Sequence, residues 1–267
     1  MRDISHQHGR VRPLAGASVI VTRPASSAAA LRRKIIALGG TPIGLPGIGV
    51  RSAADPDAAR RGLLASRASD FVVFTSPNAA RYTFALMPQL HFARATRVCA
   101  VGPGSARALA RHGVREVVYP AQRQDSEGLL ALAPLARMRG RRVSLIGAPD
   151  GRDLLREELQ RRGAKVELVH VYRRTAPRLN RRHFDALERA AAPLLTLLSS
   201  AEAIAHLRVV LPAALFARLI ASAAIVSSAR LAHAAQAAGW REMHIAGSAS
   251  GADLCAAAVT ALAQHRL

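Results

Sequence analysis

The chain has 267 residues, half of them hydrophobic, and carries 38 Lys and Arg against 17 Asp and Glu, a formal charge of +21. That is long enough for two domains of ordinary size and too apolar for wholesale disorder. No apolar run approaches the ~20 residues a membrane helix needs, and the distant Cys99 and Cys255, without metal-ligand spacing, fit a reduced cytoplasmic protein.

Residues 1–13 (MRDISHQHGRVRP) are basic and polar and lack the apolar core of a secretory signal. They predict a frayed tail, carrying His6 and His8 and reaching to about residue 14. Val19–Thr22 then reads as a short buried strand, and Pro24 opens a helix on which Leu31, Ile35 and Leu38 recur at helical spacing. Gly39-Gly40 ends that helix. Thr41–Val50 is extended and punctuated by Pro42 and Pro46. Phe71–Phe74 is a strand followed by Ser76-Pro77 at a helix start. Arg97–Val101 is a strand, Pro103 begins a helix closed by Gly113, and Glu116–Tyr119 is a strand. Ser126-Glu127-Gly128 leads into Leu129–Leu135. Further strands are expected at Arg142–Ile146, Lys165–Tyr172, Leu194–Leu198, Ala223–Ser227 and Glu242–Ala246.

The second series repeats the first. A shift of 124 places Val19 on Val143, Leu31 on Leu155, Gly39 on Gly163 and Thr75-Ser76 on Ser199-Ser200. A shift of 126 places Gly113-Val-Arg-Glu116 on Gly239-Trp-Arg-Glu242. Short apolar strands alternating with helices imply parallel sheets covered on both faces. The expected fold is therefore α/β, with two flavodoxin-like doubly wound domains and a ligand cleft between them.

Ligands of such sheets bind beyond the carboxyl ends of the strands. The loops there carry Thr22-Arg23-Pro24, Thr75, Ser76 and Asn78, Gly102 and Ser105, Gly147, Ser199-Ser200, and Ser227-Ser228. Small and hydroxylated residues at helix starts suit carboxylates or phosphates, and they are equally ordinary helix caps. Phe74 and Trp240 read as core. No G-x-S-x-G, P-loop or H-E-x-x-H is present, and Gly102-Pro-Gly104 lacks the third glycine of a dinucleotide fingerprint. No cofactor and no metal are expected.

The charge is almost all arginine, with Lys34 and Lys165 the lone lysines. It would attract nucleic acid, acidic lipid or a small polyanion, although an Ala- and Arg-rich composition also supplies idle surface arginines. The absence of a basic block of five, of a zinc pattern and of more than ten aromatics argues against a nucleic-acid partner.

At these residues the chain resembles the uroporphyrinogen-III synthase family, from about Ala15 to Leu262. The carriers are VIVTRP at Val19–Pro24, GGTPIGLPGIGV at Gly39–Val50, DFVVFTSPNAA at Asp70–Ala80, CAVGPGSARALARHGV at Cys99–Val114, SEGLLAL at Ser126–Leu132 and GRDLLREELQRRGAKVELVHVYRRTAP at Gly151–Pro177. The turn Ile225-Val-Ser-Ser-Ala-Arg230 departs from the Gly-Pro-Ser/Thr pattern, which weakens a role for Ser227 or Ser228. The resemblance implies one domain of residues 1–45 plus 176–267, a second of residues 51–170, and linker strands at 46–50 and 171–175.

It further implies a cyclising lyase of haem biosynthesis that converts hydroxymethylbilane to uroporphyrinogen III, inverting the last pyrrole and releasing water. Catalysis would be chiefly positioning, through a spiro intermediate. Tyr172 would donate a proton to the leaving hydroxyl. Arg23, Thr75, Ser76, Asn78, Gly102, Ser105, Gly147, Ser199, Ser200 and Ser228 would hold the polycarboxylate tetrapyrrole. The expected partners are that substrate and the upstream bilane-forming enzyme, with no membrane span and a monomeric state. The competing readings are a two-lobed small-anion binding protein without catalysis, a nucleotide-sugar transferase, and a nucleic-acid protein resting on charge alone.

Overall fold

The computed structural model describes residues 12–121, 123, 125–149 and 153–265. His6, His8 and the first residues of the Gly151–Pro177 motif lie outside the described residues. In chain order the elements begin with β1 (Ser18–Val21), α1 (Ala25–Ala37), β2 (Thr41–Gly44), β3 (Gly49–Ser52), α2 (Pro56–Ser66), β4 (Phe71–Phe74), α3 (Pro77–Leu86) and β5 (Arg97–Ala100). There follow α4 (Pro103–Ala110), β6 (Val117–Val118), α5 (Ser126–Leu130), a 3-10 turn at Ala133–Leu135, β7 (Arg142–Gly147), α6 (Asp153–Arg161), β8 (Lys165–His170) and β9 (Tyr172–Thr175). The last are α7 (Arg181–Glu188), β10 (Leu194–Leu197), α8 (Ala201–Val210), α9 (Ala213–Ile220), β11 (Ala223–Val226), α10 (Ala229–Ala238), β12 (Met243–Ile245) and α11 (Gly251–Gln264).

Two compact units result: Met1–Gly49 with Thr175–Leu267, and Val50–Arg174. We call them units 1 and 2. Each holds a five-stranded parallel sheet, ordered β12-β11-β10-β1-β2 in unit 1 and β6-β5-β4-β7-β8 in unit 2. The α/β fold with two parallel sheets is thus as expected. β3 and β9 form a separate two-stranded sheet. Where one strand was expected over Lys165–Tyr172, the chain changes partner at Val171, so β8 stays with the large sheet and Tyr172 opens β9.

Numbered within its unit, unit 1 has the doubly wound order 2-1-3-4-5, whereas unit 2 reads 3-2-1-4-5. The repeat resolves the difference. Counting β7 and β8 as first and second strands gives unit 2 the order 2-1-3-4-5 as well. Registers agree throughout. Ser18 faces Thr41 as Arg142 faces Lys165, and Val19 faces Leu195 as Val143 faces Phe71. Leu195 faces Ala223 as Phe71 faces Arg97, and Ala224 faces Met243 as Val98 faces Val117. Each sheet therefore combines two strands from one repeat with three from the other.

Alternation along each strand fills both faces. Val19 and Val21 enter one core cluster of unit 1 and Ile20 the opposite one; in unit 2, Phe71 and Val73 part company with Val72 and Phe74 in the same way. Phe74 and Trp240 are core residues, as expected. The helix after the first strand of each repeat ends at a left-handed glycine, Gly39 with φ +88° and Gly163 with φ +86°, where a Cβ would be strained. One expectation is corrected. The sequence predicts a tail reaching to residue 14, but Leu14 is completely buried among Ile35, Leu262 and their neighbours, and its N–H donates to the Leu38 carbonyl. Its apolar side chain joins the core that the polar stretch before it could not enter.

Candidate functional site

In a 2-1-3-4-5 sheet, strands one and three lie side by side while their connections leave in opposite directions, opening a crevice at their carboxyl ends. In unit 2 those strands are β7 and β4. The crevice is a pocket of about 260 Å³ whose lining includes Thr75, Ser76, Gly147 and Tyr172 together with His170, Arg156 and Arg174. Gly147 is needed for the close approach: a Cβ there would lie 2.4 Å from Thr75 Oγ1. The Thr75 hydroxyl and N–H both donate to the Ile146 carbonyl, each at 3.1 Å.

Ser76 is the N-cap of α3, its Oγ accepting from the Ala79 N–H at 3.0 Å. The same Oγ lies 3.0 Å from the Tyr172 hydroxyl. Tyr172 is buried, with 4% of its surface exposed, its hydroxyl beside Ser76 and its ring among the core residues of unit 2. Acidic groups at the pocket are already engaged. Asp153 pairs with Arg156 at 3.0 Å, and Asp125 accepts from Arg123 Nε at 2.9 Å and from the Gly128 N–H at 2.8 Å.

The corresponding crevice of unit 1 lies between β1 and β10. Thr22 Oγ1 donates to the Leu197 carbonyl at 2.8 Å and lies 3.3 Å from Ser199 Oγ. Ser200 caps α8 through the Ala203 N–H, as Ser76 caps α3. Arg23 reaches the Ala249 carbonyl, and burial lowers its guanidinium below the ordinary value, a nearby Cys255 opposing the shift.

The expected residues therefore divide. Thr75, Ser76, Gly147 and Tyr172 meet at one pocket of unit 2. Arg23, Ser199 and Ser200 stand at the matching crevice of unit 1. Asn78 is the second residue of α3, and Gly102 and Ser105 are buried at the start of α4, outside the lining of that pocket. Ser228 is exposed and caps α10 through the Leu231 N–H at 3.3 Å. His170, Arg174 and Arg156 went unnoticed in the sequence. The first two were readable, since residues 170, 172 and 174 alternate on an extended chain and so share a side. Arg156 comes from α6 and has no such signal. Among the described residues, no group of three or more His, Cys, Asp or Glu could hold a metal ion, and no helix is long and apolar enough to cross a membrane.

A family model described as Uroporphyrinogen-III synthase HemD matches residues 29–256. The chain belongs to the uroporphyrinogen-III synthase family. Its activity is that of this haem-biosynthetic family, whose members are cyclising lyases. The uroporphyrinogen-III synthase of Salmonella typhimurium is 29% identical over 240 residues, covering 87% of this chain and 96% of its own. That of Escherichia coli K12 is 27% identical with the same coverage. Among solved structures, the uroporphyrinogen-III synthetase of Helicobacter pylori 26695 has a TM-score of 0.58 at 13% identity, covering 92% of this chain and 99% of its own. A mutant uroporphyrinogen III synthase of Thermus thermophilus has a TM-score of 0.55 at 20% identity, over 93% and 99%. These two likenesses concern the fold.

Proposed function

We propose that the unit 2 pocket is where this synthase releases the hydroxyl of hydroxymethylbilane and directs inversion of the terminal pyrrole. The observation carrying this reading is the Tyr172–Ser76 hydroxyl pair at the crevice. Phenols are protonated at neutral pH. With Ser76 donating to the phenol oxygen and accepting from Ala79, the Tyr172 proton is available to the substrate. As the substrate C–O bond breaks, that proton joins the departing hydroxyl to form water, and Ser76 steadies the phenolate left behind. The terminal pyrrole then attacks to form the spiro intermediate, and proton loss after rearrangement restores the neutral ring system.

At about 260 Å³ the pocket falls just below the ~300–1,000 Å³ usual for ligand sites, so it takes one end of the bilane. Arg156, Arg174 and the N–H groups at the start of α3 suit its carboxylates. Arg23, Ser199 and Ser200 offer a second carboxylate site in unit 1, with Asn78, Gly102, Ser105 and Ser228 in lesser roles at the helix starts. We place the enzyme in the cytoplasm as a monomer, receiving the bilane from the enzyme that makes it. The two buried free cysteines favour a reducing compartment.

The test is a coupled assay with freshly made hydroxymethylbilane, separating type I from type III porphyrins. The protein should raise the type III product well above the spontaneous background, and Tyr172→Phe should slow it severalfold with the fold intact. Type I product alone would sink the reading. Binding of a bilane analogue without acceleration would favour a non-catalytic anion binder.

A further inference from the structure

A phenol that protonates a leaving group must be held in place and in plane, within about 0.5 Å and 10–20° of its working geometry. The Ser76 bond fixes the hydroxyl at one point and leaves the tilt of the ring undetermined. Tyr82 supplies the second constraint. Its ring stacks on Tyr172, with centroids 5.8 Å apart and planes 19° apart. Its own hydroxyl donates to the Val50 carbonyl at 3.0 Å, and the Arg81 guanidinium lies 5.0 Å from its ring centre. Ser76 caps α3 and Tyr82 lies within it, so one helix meets Tyr172 both at its hydroxyl and on its ring.

Beside the stack lies an apolar hollow of about 190 Å³, lined by Tyr82, Ala53, Pro56, Leu86 and Val171, into which the rings could drift if the Val50 tether were lost. The repeat offers an internal comparison. Shifted by 124, Tyr172 falls on Ile48 and Tyr82 on His206. His206 also reaches a backbone carbonyl, that of Gly47 at 3.0 Å, while Ile48 is a buried aliphatic residue. A side chain of the helix thus reaches a backbone carbonyl of the β2–β3 region in each unit, and among the described residues the stacked phenols occur in unit 2 alone.

We propose that Tyr82 is a positioning residue, holding Tyr172 in the plane in which it can protonate the leaving hydroxyl. The inference rests on the reading of Tyr172 given above. The experiment compares Tyr82→Leu, Tyr82→Phe, Tyr172→Phe and the double variant Tyr82→Leu/Tyr172→Phe in the full chain. It measures kcat, KM, the type III fraction and the folded fraction by thermal unfolding. Tyr82→Leu should lower kcat per folded molecule about fivefold and raise the type I share, with KM within about twofold. Tyr82→Phe, which keeps the ring but loses the Val50 tether, should recover part of that loss. The double variant should be no slower than Tyr172→Phe, because both act through one group.

Wild-type kcat and type III fraction in Tyr82→Leu, or losses that multiply in the double variant, overturn the inference while leaving Tyr172 in place. An unaffected Tyr172→Phe instead removes the reading of Tyr172, and the inference with it. If Tyr82→Leu does not fold, Tyr82→Met, close in volume and without a ring, takes its place under the same criteria.

Discussion

The two crevices share one backbone design and differ in a few side chains. Both lie between the first and third strands of the same strand order, both have identical registers, and both end in a serine that caps the following helix, Ser76 in one and Ser200 in the other. In unit 2, Gly147 stands where unit 1 has Arg23 under the shift of 124, and Tyr172 stands where unit 1 has Ile48. The glycine lets its strand end lie close against Thr75, and the phenol adds a hydroxyl beside Ser76. In unit 1 the hydroxyls of Thr22 and Ser199 lie within hydrogen-bond distance of each other, and the arginine is anchored on Ala249. Backbone geometry and capping tolerate duplication because they depend on small residues. Reactivity depends on a few larger side chains, which can change in one copy alone.

The sharpest way to break this contrast is Gly147→Val. A side chain 2.4 Å from Thr75 Oγ1 must push the two strand ends apart, and turnover should fall roughly tenfold to a hundredfold with KM rising, measured by steady-state assay. Wild-type turnover would mean the crevice of unit 2 is not where the reaction occurs. Next in size, Ser76→Ala and Ser200→Ala should each cost about 1 kcal/mol of stability as lost caps. Ser76→Ala should also lower kcat severalfold, whereas Ser200→Ala should act on KM. Equal effects on kcat would erase the distinction between the crevices.

Acid should also separate the units. Glu158 of unit 2 is held down at about 2, first by hydrogen bonds from Arg161 and then from Arg162, and Asp70 is held below its ordinary value chiefly by the Arg142 N–H. A depressed folded value makes this support complete above the ordinary carboxylate range and lost as pH falls through the folded value. Glu158 is bound through the exposed Arg161 and the half-buried Arg162, so part of the effect is screened by salt. Under the shift of 124 its counterpart is Lys34, which gives unit 1 no equivalent carboxylate. Denaturant titrations at pH 7 and pH 3 should show stability falling with acid, and Glu158→Gln should flatten that fall.

The smallest expected signal comes from the thiols. Burial pushes Cys99 up to about 12 and raises Cys255, each inside the core of its own unit. Neither should react with a maleimide in the native protein at pH 7. The slow labelling rates of Cys99→Ser and Cys255→Ser variants would then report the opening of units 1 and 2 separately.

Much of this architecture is local and was readable along the chain. Pro77 and Pro103 open helices because proline suits the first helical turn, and Ser76 caps one of them. The unbroken apolar runs VVF and VIV mark strands buried on both faces, and the repeat follows from matched glycines such as Gly39 and Gly163. The burial of Leu14 is not legible in the sequence, because a single apolar residue after a polar run carries no periodicity. Its burial depends on Ile35 and Leu262, which are remote in sequence.

By itself, then, the sequence determined the α/β class, the duplication, the helix starts and the family, since each depends on neighbouring residues or on order along the chain. Tertiary structure alone decided which repeat supplies which strand, because the exchange at β2–β3 and β8–β9 is a choice of hydrogen-bond partner that composition does not encode. It also decided that Ser76, Tyr82 and Tyr172 meet. Residues nearly a hundred positions apart come within 3.0 Å only because parallel pairing of β4 with β7 brings the start of α3 beside the strand that follows β8.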